Sequence, residues 1–110
     1  MIMCTVRLLL SETDRRRVIT SLTPLIGWTR VQPGCRGCHL LTDTEDPRAL
    51  VLWEEWDTQG DLDRYLRSTE YQRVLAAIEL SQEAPEIRFD AVETRGGFEV
   101  VEAVRLPPTQ

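Results

Sequence analysis

At 110 residues, 42% hydrophobic and 28% charged, the chain is one domain's worth of sequence, without room for separate cofactor and substrate domains. Its 18 acidic side chains outnumber 13 basic ones, all of them arginine, and a formal charge of -5 is the wrong sign for a non-specific nucleic-acid binder. The longest apolar run is too short for a membrane span, and three cysteines are an odd number for a disulfide framework.

Thr5 to Ser11 reads as a first strand. Arg7 interrupts its apolar residues and no basic stretch precedes them, so it does not resemble a signal peptide, and the cytoplasm is the expected location. Arg15-Arg16-Arg17 then reads as the solvated first turn of a helix. Val18, Leu22, Leu25, Ile26 and Thr29 recur at helical spacing, with Thr13 or Asp14 as the expected cap and Pro24 as an expected kink or break. Gln32-Pro33-Gly34 marks a turn. Cys35 to Thr42 and Ala49 to Asp57 follow as strands, close enough in sequence to require an antiparallel hairpin. Alternation along the latter puts Leu52, Glu54 and Trp56 on one face and Val51, Trp53 and Glu55 on the other.

A second helical region runs from Thr58-Gln59-Gly60-Asp61 to Pro85, with Leu62, Tyr65, Leu66, Thr69, Val74, Leu75 and Ile78 as its apolar stripe and a break near Ser68-Thr69. Glu86 to Thr94 is the expected fourth strand. After Gly96-Gly97, Phe98 to Leu106 is expected as a short fifth strand or arm, stopped by Pro107-Pro108. The order β-α-β-β-α-β predicts an α+β, ferredoxin-like antiparallel sheet within a single domain spanning 1–110, its core at about 5–94 and a β-like tail at 98–106. Two helices cover one face of such a sheet. Val51 and Trp53 leave the other too apolar for water, so a second copy packed sheet to sheet is expected, with the tail able to pair with a neighbour's edge strand.

Cys35-Arg36-Gly37-Cys38-His39 has the spacing of a haem attachment, a redox pair or, with Cys4, a metal site. Haem attachment would need export, which nothing in the sequence suggests, and a second axial ligand, with His39 the only histidine. A redox pair should open a helix, whereas these cysteines start a strand. In an extended strand Cys35 and Cys38 point to opposite sides, which favours small buried thiols. His39 is separately a candidate pocket acid/base. Glu54, sharing the helix-covered face with Trp56, needs either a partner such as Arg88 or a raised pKa, and in the latter case it would serve as a base. Trp56 suits an aromatic pocket and Tyr65 brings a hydroxyl to the same space.

The stretch from Val31 to Leu75 resembles the antibiotic biosynthesis monooxygenase (ABM) domain family of dimeric α+β barrels. The resemblance rests on Pro33-Gly34-Cys35-Arg36-Gly37, Asp46-Pro47, Glu54-Glu55-Trp56 and Ser68-Thr69-Glu70-Tyr71, and extends from about Thr5 to Thr94. It implies a homodimer with sheets face to face, and oxidation of a small quinol-like or anthrone-like aromatic by O₂ with neither metal nor flavin. On this reading Trp56 matches a pocket tryptophan, lined further by Leu52 and Leu66. Tyr65 is the proton acceptor or oxyanion donor, and Glu54 or His39 relays. Leu52 stands where anthrone oxidisers of the family carry Asn. Tyr65 or Leu66 stands where the haem-degrading branch carries its iron-ligating His, which argues against haem degradation. The alternatives are a non-catalytic small-ligand-binding or structural homodimer of the same fold, and a related isomerase or decarboxylase. An enzyme predicts a cavity of about 300 Å³ or more beside Trp56, Tyr65 and Glu54, and a structural dimer predicts that space filled.

Overall fold

The computed structural model describes residues 1–93 and 95–107. Thr94, the expected end of the fourth strand, and Pro108, part of the expected stop, lie outside the described residues. Among those described, the order is β1 (Ile2–Leu9), α1 (Glu12–Arg30), β2 (Cys35–Thr42), β3 (Ala49–Trp56), α2 (Gln59–Leu66), α3 (Gln72–Glu79), β4 (Glu86–Ala91) and α4 (Phe98–Arg105). The strands form one antiparallel sheet in the order β2-β3-β1-β4, the expected α+β, ferredoxin-like arrangement.

Helix α1 begins earlier than expected. Its cap is Ser11, whose hydroxyl accepts from the Asp14 amide at 3.2 Å, rather than Thr13 or Asp14. It also runs unbroken through Pro24. Proline there deprives the Thr20 carbonyl of its partner, but both residues are exposed, so water can take the bond. The buried side of α1 is Val18, Leu22, Leu25, Ile26 and Thr29, and each large aliphatic so removed from water contributes about 1.5–3 kcal/mol.

Ser68 explains the break between α2 and α3. Its hydroxyl donates to the Tyr65 carbonyl at 2.6 Å and accepts from the Tyr71 amide at 3.3 Å, closing one helix and opening the next. Gly34, in the turn before β2, has φ +83° and its carbonyl accepts from the Asp57 amide at 2.8 Å. A methyl group there would also meet the Asp61 side chain. Gly34→Ala is therefore expected to cost at least 1–2 kcal/mol by the αL penalty alone, read as a lower urea midpoint with an unchanged slope.

The tail corrects the sequence reading. Phe98 to Leu106 is not a fifth strand: α4 occupies Phe98–Arg105. Valine's preference for strands suggested otherwise, yet Val100, Val101 and Val104 lie at helical spacing, and the tail joins neither edge of the sheet. Every residue of α4 is exposed. Arg95, just before it, bonds Glu55 on the helix-free face of the sheet at 2.8 Å. That face also carries Val51, Trp53 and Leu41, as the alternation along β3 predicted.

Candidate active site

Glu54 is the centre of the site. Cross-strand register places it directly between Cys4 on β1 and Cys38 on β2, on the face that the helices cover. Its residue is 2% exposed. The Cys38 thiol donates to Oε2 at 3.8 Å. Burial pushes the carboxyl up to about 7, while Tyr65, Cys38 and Trp56 restrain the rise by favouring the charged form. Among the described residues no arginine pairs with it: Arg88, the partner considered from the sequence, sits near Asp90 at 3.8 Å.

An aromatic stack roofs this carboxylate. Trp56 ends β3 and is fully buried, with Tyr65 stacked on it at 4.8 Å between ring centroids and 27° between planes. Tyr71 meets Tyr65 edge-on at 5.0 Å, and Trp28 of α1 approaches it at 6.4 Å. Thr58 caps α2 by accepting from the Asp61 amide at 3.1 Å, and the spacing of Leu62 and Tyr65 then turns both inward. The Tyr65 hydroxyl and the Trp56 indole nitrogen are buried without a hydrogen-bond partner among the described residues. Both adjoin Glu54 without forming a hydrogen bond of standard geometry to it. Two buried donors without a bond of standard geometry are rare in a core, and the acceptor they act on is the Glu54 carboxylate, whose charged form both favour. Burial and the Glu54 charge together hold the Tyr65 phenol far above its ordinary pKa, so it stays protonated and serves as a donor rather than a proton acceptor.

The other sequence-derived residues divide. Leu52 is buried on the same face and Leu66 packs against the core. His39 does not join them. It pairs with Trp53 across the hairpin, on the opposite face of the sheet, stacks on that indole at 5.5 Å and lies 3.4 Å from Arg30. The sheet itself separates His39 from Glu54, so it cannot relay a proton there.

The cysteines also depart from expectation. A bulge between Cys35 and Gly37 adds one residue, Arg36, to β2, so Cys35 faces Trp56 and Cys38 faces Glu54 on the same side. All three thiols are free, and burial raises each, Cys4 to about 12. Among the described residues no three His, Cys, Asp or Glu side chains are placed to hold a metal ion. The space beside Tyr65, lined by Trp28, Gln32, Pro33, Asp61, Arg64 and Ser68, is about 70 Å³, well short of the volume of about 300 Å³ expected of an enzyme, and neither Glu54 nor Trp56 lines it.

This strand-borne carboxylate under a Trp–Tyr stack sits in a fold with known counterparts. The family model of the antibiotic biosynthesis monooxygenases matches residues 1–77. The chain belongs to that family. Among solved structures it is similar to Rv0793 from Mycobacterium tuberculosis, with 22% identity, a TM-score of 0.77, and 87% of this chain and 98% of that one covered. A conserved protein from Methanosarcina mazei has 22% identity and a TM-score of 0.77 over 84% of this chain and 92% of its own. A structure described as an antibiotic biosynthesis monooxygenase has 22% identity and a TM-score of 0.73 over 84% and 100%. At these identities the likeness is one of fold. A comparison with curated proteins finds no match.

Within this family member, sequence reasoning missed Cys4, Cys38, Thr29 and Tyr71 as neighbours of the site. Cys38 was within reach of the β2–β3 hairpin register, which is regular from Thr42 to Gly37, whereas Cys4 lies on β1, whose pairing with β3 no short turn fixes. Thr29 is fully buried, donates to the Leu25 carbonyl at 2.7 Å and favours ionisation of the nearby Tyr65 phenol, against the larger effect of burial. Its place at the end of the α1 stripe was the available signal. No helix among the described residues is long and apolar enough to cross a membrane.

Proposed function

We propose that this protein is a cofactor-independent monooxygenase acting on a small quinol-type aromatic. The observation that carries the reading is Glu54: a buried carboxylate with a pKa near 7, flanked by the unpartnered Tyr65 and Trp56 donors and roofed by aromatic rings. Glu54 takes the phenolic proton, and the electron-rich anion then reacts with O₂ away from bulk water. One oxygen atom enters the ring and the other leaves as water, with all four electrons supplied by the substrate. The Tyr65 hydroxyl and the Trp56 N–H donate to the developing oxyanion. His39 has no part in this scheme.

Size narrows the substrate. A space of about 70 Å³ favours a single ring over a three-ring anthrone, and because Glu54 does not line it, even one ring reaches the carboxylate only when lining side chains such as Trp28 and Tyr65 move apart. The helix-free sheet face, with Val51 and Trp53, supports a homodimer packed sheet to sheet.

Oxygen uptake with hydroquinone or methylhydroquinone, above the autoxidation rate, tests the proposal. Tyr65→Phe is expected to lower turnover by about 10²-fold, the scale of one lost oxyanion donor, while the fold is retained. Unchanged turnover would remove Tyr65 from the mechanism. The small cavity favours a second reading, a non-catalytic ligand-binding or structural protein. Saturable binding of these quinols without uptake would establish ligand binding, and neither binding nor uptake would leave the structural role.

A further inference from the structure

A larger cavity lies at the other end of the sheet. It encloses about 390 Å³ between the first turn of α1 and the β2–β3 loop, and is lined by Leu10, Glu12, Arg15, Arg16, Pro47 and Arg48. Arg48 directly precedes β3, six residues before Glu54, so strand rise separates the two sites by about 20 Å. The Leu10 amide donates to the Arg48 carbonyl at 2.9 Å, fixing one wall to the other.

Two of its three guanidiniums are already engaged. Arg16 bonds Glu12 at 2.5 Å. Arg48 reaches both oxygens of Asp46 at 3.3 Å through Nε and one terminal nitrogen, and its other terminal nitrogen is 4.0 Å from Glu83. Nearby Asp14 is turned to Arg17, at 3.7 Å. Arg15 is different. It has no carboxylate within ion-pair distance among the described residues, and its Nε is buried with no hydrogen-bond partner. An arginine in the first turn of a helix would normally spread into water. This one is half-buried against a cavity with a donor unsatisfied.

We infer that this cavity binds a small organic anion, its phosphate or carboxylate group held by Arg15 and its apolar body lying against Pro47. The planar guanidinium fork matches either oxyanion, and engaged neighbours at Arg16 and Arg48 present further N–H groups without needing to be ordered. The volume lies within the range of small-molecule sites and is more than a bare ion needs. The inference is independent of the proposed oxygenase chemistry.

Calorimetric titration of the full chain at low salt with phenyl phosphate, benzoate and inorganic phosphate tests it. One organic anion at least is expected to bind one-to-one, and which of the two binds tighter identifies the headgroup. Arg15→Gln is expected to weaken that binding tenfold or more, and Arg16→Gln, an exposed site that threatens the fold less, several-fold. Glu54→Gln is expected to leave it intact even if the oxygenase reading fails. Absence of binding by both organic anions, or equal affinity in Arg15→Gln with a native circular dichroism spectrum, would overturn the inference. Inorganic phosphate binding as tightly as either organic anion would overturn the assignment of an organic ligand.

Discussion

Glu54→Gln is expected to lower quinol-dependent oxygen uptake by about 10²–10⁴-fold, the range for a lost general base, and to make the protein more stable above pH 7. Both effects come from one buried carboxylate. In the folded protein its pKa is about 7, against an ordinary 4.5, so between those values the folded state holds a proton that the unfolded chain has released. Stability therefore falls as pH rises from about 4.5 to about 7, by about 3 kcal/mol for a shift of this size, and is flat beyond. Glutamine does not titrate. Its variant should match the wild type near pH 4.5 and exceed it near pH 8, while wild-type activity rises through pH 7 as the base ionises. Urea unfolding of both proteins across pH 4.5–8 reads the first effect and the oxygen electrode the second. Parallel stability curves would mean that Glu54 is not the buried acid described. A diverging pair with unchanged uptake would keep the electrostatics and discard the catalytic role.

The placement of Glu54 shows how far a sequence of this kind can be read. Alternation along Leu52, Glu54 and Trp56 was enough to bury the carboxylate, because a strand's side chains have a period of two and flanking apolar residues fix which face is inside. The same rule misled at Cys35 and Cys38. A single added residue, Arg36, resets the period, and Gly37 within the strand was the one local sign of a bulge. His39 went astray as a relay for a related reason. Its residue type suggested chemistry, but register put it on the far side of the sheet. Helix α1 was legible from its stripe but not in its continuity, since the cost of Pro24 depends on which way the orphaned carbonyl faces. In α4 the strand preference of valine outweighed helical spacing in the reading, whereas the structure follows the spacing. Cavity size was out of reach altogether. Whether space remains beside Tyr65 depends on the fit of Trp28, Tyr65 and Tyr71 from separate elements, and no local pattern encodes that.

Trp56→Ala is the substitution expected to cost most, about 3–5 kcal/mol of folding stability. The indole is fully buried at the end of β3, where its residue pairs with Ile2 on one side and Cys35 on the other. Tyr65 rests on it at 4.8 Å, and Tyr71 rests in turn on Tyr65. Removing the indole thus leaves a void at the meeting point of β1, β2, β3 and α2, with main-chain ladders on both sides that resist collapse into it. Trp56→Phe keeps a ring for Tyr65 to stack on and also removes an indole N–H that has no partner among the described residues, so its cost should be well under half as great. The comparison separates packing from chemistry. If Trp56 only fills space, the phenylalanine variant should retain both stability and turnover. If the indole N–H donates to the oxyanion as proposed, that variant should stay folded and lose about tenfold or more in oxygen uptake. Urea midpoints with unchanged slopes, beside oxygen uptake on the same preparations, decide between the two.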